Sequence, residues 1–186
     1  FWNLNVYTNQ RHLGLSFAIV LLIIYSFYSE NIFLRLSVGF WLGSLLLLNQ
    51  AAFAIAAIFV IWLFLLRPNF QTVISFVGFL PWLFLYQYSS HAFFVPQLKL
   101  WFLSQAPFTF FSLLKYWTLN MGLHLFLIPA GMLLSPPKAR PLILPLLALF
   151  IIPNLYQFSP DMINNHKFFN LFLILGGMFS AYVITK

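Results

Sequence analysis

The sequence predicts an all-α fold, a polytopic transmembrane helix bundle of about seven spans, and three observations carry that expectation. Of its 186 residues 62% are hydrophobic and 6% charged, so a water-soluble domain of this length would lack the polar surface to cover itself. The apolar residues, 25 phenylalanines among them, form continuous runs rather than alternating ones. Continuous runs favour helices over a barrel, because backbone polar groups in lipid must be satisfied within each segment. At about 20 apolar residues per span, roughly seven spans fill the chain with little left for loops, which makes 1–186 a single transmembrane domain.

The chain opens on Phe1 rather than Met, passes through the polar run Tyr7-Thr8-Asn9-Gln10-Arg11-His12, and ends at Lys186 directly after an apolar run. It reads as a piece of a longer polytopic protein, and nothing in it resembles a signal peptide. The expected spans are residues 13–28, 34–48, 51–66, 71–88, 110–134, 141–156 and 168–185. Asn49-Gln50 interrupts the second and third as a tight hairpin tip, with one long kinked helix as the alternative. Residues 89–109 mix Ser89, His91, Gln97, Lys99 and Gln105 with Phe93, Phe94, Trp101 and Phe102 between Pro96 and Pro107, the pattern of an interfacial or re-entrant segment. Gly39 and Gly43 form a GxxxG, and Gly176/Ser180 and Gly177/Ala181 are further small pairs, all predicting close helix packing. Pro81, Pro129 and Pro145 fall within spans and are expected to kink them.

Seven spans sort the connections onto two faces. One receives short basic connections carrying Arg35, Arg67, Lys138, Arg140 and Lys186 with Glu30, the usual look of the cytoplasmic side. The other receives residues 1–12, the Asn49-Gln50 tip, 89–109 and 157–167, with His12, His91, His166, Asp161, Arg11, Lys99 and Lys167; Lys115 narrows the difference in basic residues. This second face is assigned as extracytoplasmic, and the protein to the bacterial inner (plasma) membrane. The formal charge of +7 reflects topology and lipid headgroups, with no nucleic-acid partner.

The densest polar cluster runs from Asn154 to Phe168, with Gln157, Asp161, Asn164, Asn165, His166 and Lys167 at one membrane surface. Such a set of amides, acid, imidazole and ammonium can bind a phosphate or a sugar, or form a solvated loop in which Pro160 turns and Asp161 caps the next helix. Arg11 can hold an anionic headgroup or anchor its helix at the interface. Asn120 and His124, four residues apart in the fifth span, share a helix face as interhelical glue or as a functional pair, with Lys115 opposite. Absence of cysteine excludes disulfides and thiolate metal sites. No His or acid pair has a diagnostic metal spacing, no hydrolytic triad stands out, and neither GxxxxGK[ST] nor GxGxxG occurs. Asp161 as the one acid on its face leaves the chain without paired carboxylates.

Two blocks carry a family resemblance. Asn5-Val6-Tyr7-Thr8-Asn9-Gln10-Arg11-His12-Leu13, and Ile152 to Asp161 running into Asn165-His166-Lys167-Phe168-Phe169-Asn170, resemble the later part of polytopic bacterial proteins similar to the GT-C superfamily. Those are membrane glycosyltransferases that use polyprenyl-phosphate sugars. The stretch from Lys115 to Leu123 fits the same pattern. The resemblance implies a polyprenyl-phosphate-linked donor and inverting transfer at the extracytoplasmic face. It places the assisting acid in a first external loop that does not precede these blocks here, so the chain alone is expected to be inactive. Under this reading Arg11, His166 and Lys167 contact the donor phosphate, while His12, Gln157 and Asp161 bind or position sugar hydroxyls. If a divalent metal ion is used, Asp161 and His166 are its ligands. The competing classes are a transporter or channel, lined by residues such as Asn120 and His124, and a non-catalytic membrane scaffold.

Overall fold

The computed structural model describes residues 11–88, 97–98, 109–158 and 163–186, with the backbone alone for 11, 12, 97, 163 and 164. It is helical, with one two-residue antiparallel pairing, and it divides into two compact units, Phe1–Phe93 and Phe94–Lys186.

The first unit contains α1 (Arg11–Tyr28), α2 (Ile32–Leu36), α3 (Val38–Leu48), α4 (Gln50–Leu66), α5 (Phe70–Ser75), a 3-10 turn over Phe76–Phe79, and α6 (Leu80–Gln87). Helices α1, α3 and α4 pack on one another. The buried residues of α1 are Leu13, Ser16, Phe17, Ile19, Val20, Ile23, Ile24 and Ser26, mostly at steps of three and four, so a single face supplies its core. Ala52, Ile55, Ala56, Phe59, Val60 and Leu63 do the same for α4. Between α3 and α4 the chain turns at Asn49, extended at φ −162°, whose side chain accepts the Ala52 N–H at 3.2 Å and caps α4. The Asn49-Gln50 pair is therefore a hairpin tip and not a kink in one helix.

The GxxxG has a physical counterpart. A Cβ on Gly39 would strike the Ser75 backbone carbonyl, and one on Gly43 the Trp82 indole, so the two glycines let α3 close on the segment from α5 to α6. Pro81 lies in the first turn of α6, where a missing N–H costs least, and the irregularity takes the form of the 3-10 turn before it.

The second unit contains β1 (Gln97–Leu98), α7 (Phe110–Met121), α8 (His124–Leu134), a 3-10 turn over Arg140–Leu142, α9 (Ile143–Leu155), β2 (Tyr156–Gln157) and α10 (Ile163–Ile184). Strands β1 and β2 pair antiparallel, Gln97 opposite Gln157 and Leu98 opposite Tyr156. Helices α8 and α9 both pack on α10. The expected fifth span is broken at Gly122, not at Pro129, which lies inside α8. Gly122 has φ +55°, a conformation a side chain would oppose, and α7 and α8 are bent by 84° there. Gly176 closes on Ile128, and Gly131 on the backbone of Phe179; a Cβ on Gly177 would meet nothing within 4 Å, so the Gly177/Ala181 pair makes no such approach.

Among the described residues two helices are long and apolar enough to cross a membrane, Phe70–Gln87 and Asn165–Ile184, or three if α7 and α8 form one broken span. The other apolar helices are shorter. Of the expected interfacial segment 89–109, only Gln97, Leu98 and Thr109 are described.

Candidate functional site

The polar cluster in the second unit is organised by Asn165, which is fully buried. Its amide nitrogen donates to the carbonyls of Pro153 at 2.9 Å and Tyr156 at 2.7 Å, and its oxygen accepts the Phe158 N–H at 3.1 Å. Carbonyls at the end of α9 have no helical partner, so one side chain from the start of α10 satisfies part of that end and fixes the two helices through the turn between them. Asn154 spends its amide on the Phe150 carbonyl one turn back, at 2.7 Å. Phe158 stacks on Phe168 at 4.8 Å between centroids, a second tie between the turn and α10.

From this anchor α10 enters the unit with every residue from 165 to 172 buried. His166 is 7% and Lys167 8% exposed. A lysine is seldom buried to this extent without a partner, and no acid occurs among the described residues of this unit. Asn170, three residues past Lys167 and four past His166, neighbours both on the helix surface. Its amide nitrogen is buried with no hydrogen-bond partner among the described residues. Beside them lies an aromatic cluster: Trp117 is 4.7 Å from Phe169 and 4.6 Å from Phe150 between ring centroids, and Phe169 is 6.2 Å from the His166 ring. The Trp117 indole N–H is likewise buried without a partner among the described residues.

The sequence-predicted residues fall as follows. Gln157 lies in β2, half-buried, and His166 and Lys167 lie in the opening turns of α10, all three in the second unit. Arg11 and His12 open α1 in the first unit, where only their backbone is described. Asp161 and His91 lie outside the described residues, and so does any Asp161–His166 metal pair. Among the described residues no group of three His, Cys, Asp or Glu could hold a metal.

Asn120 and His124 do not share a helix face, because the Gly122 break separates them. The Asn120 side chain donates to its own helix at the Tyr116 carbonyl, 2.7 Å away, and His124 Nδ1 lies 2.9 Å from Ser180 Oγ on α10. His124 thus ties α8 to α10. Asn165, counted in the sequence as an amide for a ligand, spends its hydrogen bonds internally, and the residue the sequence reading leaves out of the site is Asn170, whose spacing of four from His166 is the signal that marks it.

Fold and site together define a coarse class, an all-α chain with helices apolar enough to cross a membrane and a buried basic cluster where one of them begins. No family model, curated protein or solved structure matches the chain.

Proposed function

We propose that the chain is an integral membrane protein of about seven spans, and that the opening turns of α10 bind the phosphate of a polyprenyl-phosphate-linked sugar during glycosyl transfer at the extracytoplasmic face. The observation that supports this reading is the burial of Lys167 and His166 side by side, near the N-terminal end of a helix. A positive side chain there sits by the positive pole of the helix with most of its length buried, an arrangement that an anion relieves. Cationic donors aimed at phosphoryl oxygens also stabilise the charge that develops on a leaving phosphate. Asn170 adds an uncommitted N–H donor beside Lys167, while Gln157 supplies groups for sugar hydroxyls. Asp161, in the same unit, positions the sugar.

Support for membrane residence comes from the outer surface. Phe70, Val77, Leu80, Phe84, Leu119, Phe126, Leu133 and Met178 are all more than half exposed, a load of apolar surface that water disfavours and lipid does not. The transport reading draws no comparable support, since His124 is engaged by Ser180 and Asn120 by its own helix.

The test is a transfer assay on the full-length protein with polyprenyl-phosphate sugars, comparing wild type with Lys167→Ala and Asn170→Ala. Losing the phosphate contact of Lys167 should lower kcat/KM by about tenfold to a hundredfold. No transfer by wild type with any such donor, or full activity in Lys167→Ala, would remove the proposal.

A further inference from the structure

A pocket of about 180 Å³ opens in the first unit where the end of α1, helix α2 and the connection between α4 and α5 come together. Arg35 and Arg67 both line it, with Asn69 and Thr72. The Arg35 guanidinium is held in place: its Nε–H donates to the Ser29 carbonyl at 2.8 Å and Nη1 to Gln71 Oε1 at 3.5 Å, which leaves the Nη2 donors uncommitted. Arg67 lies over the Tyr28 ring, its Cζ 5.0 Å from the centroid, so its fork is oriented by a cation–π contact and its N–H groups remain available. Asn69 Oδ1 accepts the Gln71 N–H at 2.8 Å, so the amide nitrogen is left as the donor. The one acid of this unit, Glu30, is exposed and forms no ion pair with either arginine.

Two guanidiniums, an amide nitrogen and a hydroxyl thus share one concavity with no anion to balance them. The Arg67 guanidinium can saturate two oxygens bidentately, and Arg35 adds its Nη2 donors. A carboxylate offers two oxygens in all and is filled by one fork, whereas one fork, the Arg35 Nη2 donors and an amide match the three or four oxygens of a phosphate. We propose that this pocket binds a phosphate-bearing anion, supplied either by an anionic phospholipid headgroup or by free phosphate. The site does not rest on the glycosyltransferase reading: it lies in the first unit, and its test uses no sugar donor. Its setting between short basic connections is where the positive-inside pattern places the leaflet richest in anionic lipid.

The full chain reconstituted in phosphatidylcholine nanodiscs, with and without phosphatidylglycerol, tests the headgroup source by counting lipids retained in native mass spectra. Titration of the same particles with inorganic phosphate, followed by calorimetry, tests the free anion. Selective retention of phosphatidylglycerol identifies a headgroup site, and saturable phosphate binding without it identifies a free-phosphate site; either supports the proposal if Arg35→Gln/Arg67→Gln weakens binding by about tenfold or more. Because Arg35 also ties α2 to Gln71, Arg67→Gln alone is the second variant; exposed Arg67 should lose several-fold in affinity while circular dichroism and thermal unfolding stay unchanged. Wild type that prefers no anionic lipid and binds no phosphate overturns the proposal, as does undiminished binding by a folded Arg67→Gln.

Discussion

Replacing Asn165 by leucine, close to it in size, removes three hydrogen bonds at a fully buried position while keeping the volume filled. At about 0.6 kcal/mol each, an average for side-chain hydrogen bonds within a membrane protein, the loss would be roughly 2 kcal/mol. At about 1 kcal/mol each, the usual value in water-soluble proteins, it would be roughly 3 kcal/mol. Leaving the Pro153 and Tyr156 carbonyls and the Phe158 N–H short of a partner pushes the cost toward the upper figure, so the expected loss is about 2–4 kcal/mol. For a chain of this length that is a fall in Tm of roughly 5–15 °C. Thermal unfolding in detergent, read by near-ultraviolet circular dichroism, measures it. Asn154→Leu is the control, since its amide only bonds back to the Phe150 carbonyl within its own helix, and it should cost less than about 1 kcal/mol. An Asn165→Leu protein within about 0.5 kcal/mol of wild type would refute the idea that this side chain holds α9 and α10 together.

Two further predictions concern the pairing of α8 with α10. Gly131→Ala drives a methyl into the Phe179 backbone and should destabilise by about 1–3 kcal/mol, whereas Gly177→Ala meets open space and should be neutral or stabilising by up to about 1 kcal/mol; equal shifts in the two unfolding curves would contradict this. A double-mutant cycle of His124→Ala and Ser180→Ala should show a coupling of about 0.5–1.7 kcal/mol, and strict additivity would mean that their 2.9 Å approach carries no energy.

The features legible in the sequence are those whose cause is local. Asn49-Gln50 marks a turn because its amides interrupt an otherwise apolar run and Asn49 can cap the helix that follows. Gly39 and Gly43 lie one helical turn apart, so they predict a close approach whatever the partner. The break at Gly122 is less visible, because a glycine in an apolar run reads as a packing residue until its φ is known, and Pro129 draws attention first. That error propagates: the shared face of Asn120 and His124 assumes a continuous helix across the break. In the site, the burial of Lys167 and the commitment of Asn165 depend on which carbonyls tertiary packing brings near, and no spacing rule encodes that.

The span count turns on the same distinction. A hydropathy reading counts an apolar run as a span whether or not one helix carries it. At 1.5 Å per residue, α10 is about 33 Å long and matches a hydrocarbon core of about 30 Å. Helix α4, with 17 residues, reaches about 25 Å, and α3 alone about 16 Å. Adding α2 and Ser37 brings the segment 32–48 only to about 25 Å. Helices of this length can cross where the bilayer thins or where flanking Arg and Lys side chains extend their reach to the headgroups. Arg35 lies in the last turn of α2 and Arg67 follows the end of α4, and both line the phosphate pocket. An anionic headgroup drawn to that pocket would lower the membrane surface to meet helices too short to span it unaided. If the first unit crosses the bilayer and the anion is a headgroup, binding and crossing are coupled, and Arg67→Gln should lower both phosphatidylglycerol retention and the fraction of chain inserted in the nanodisc.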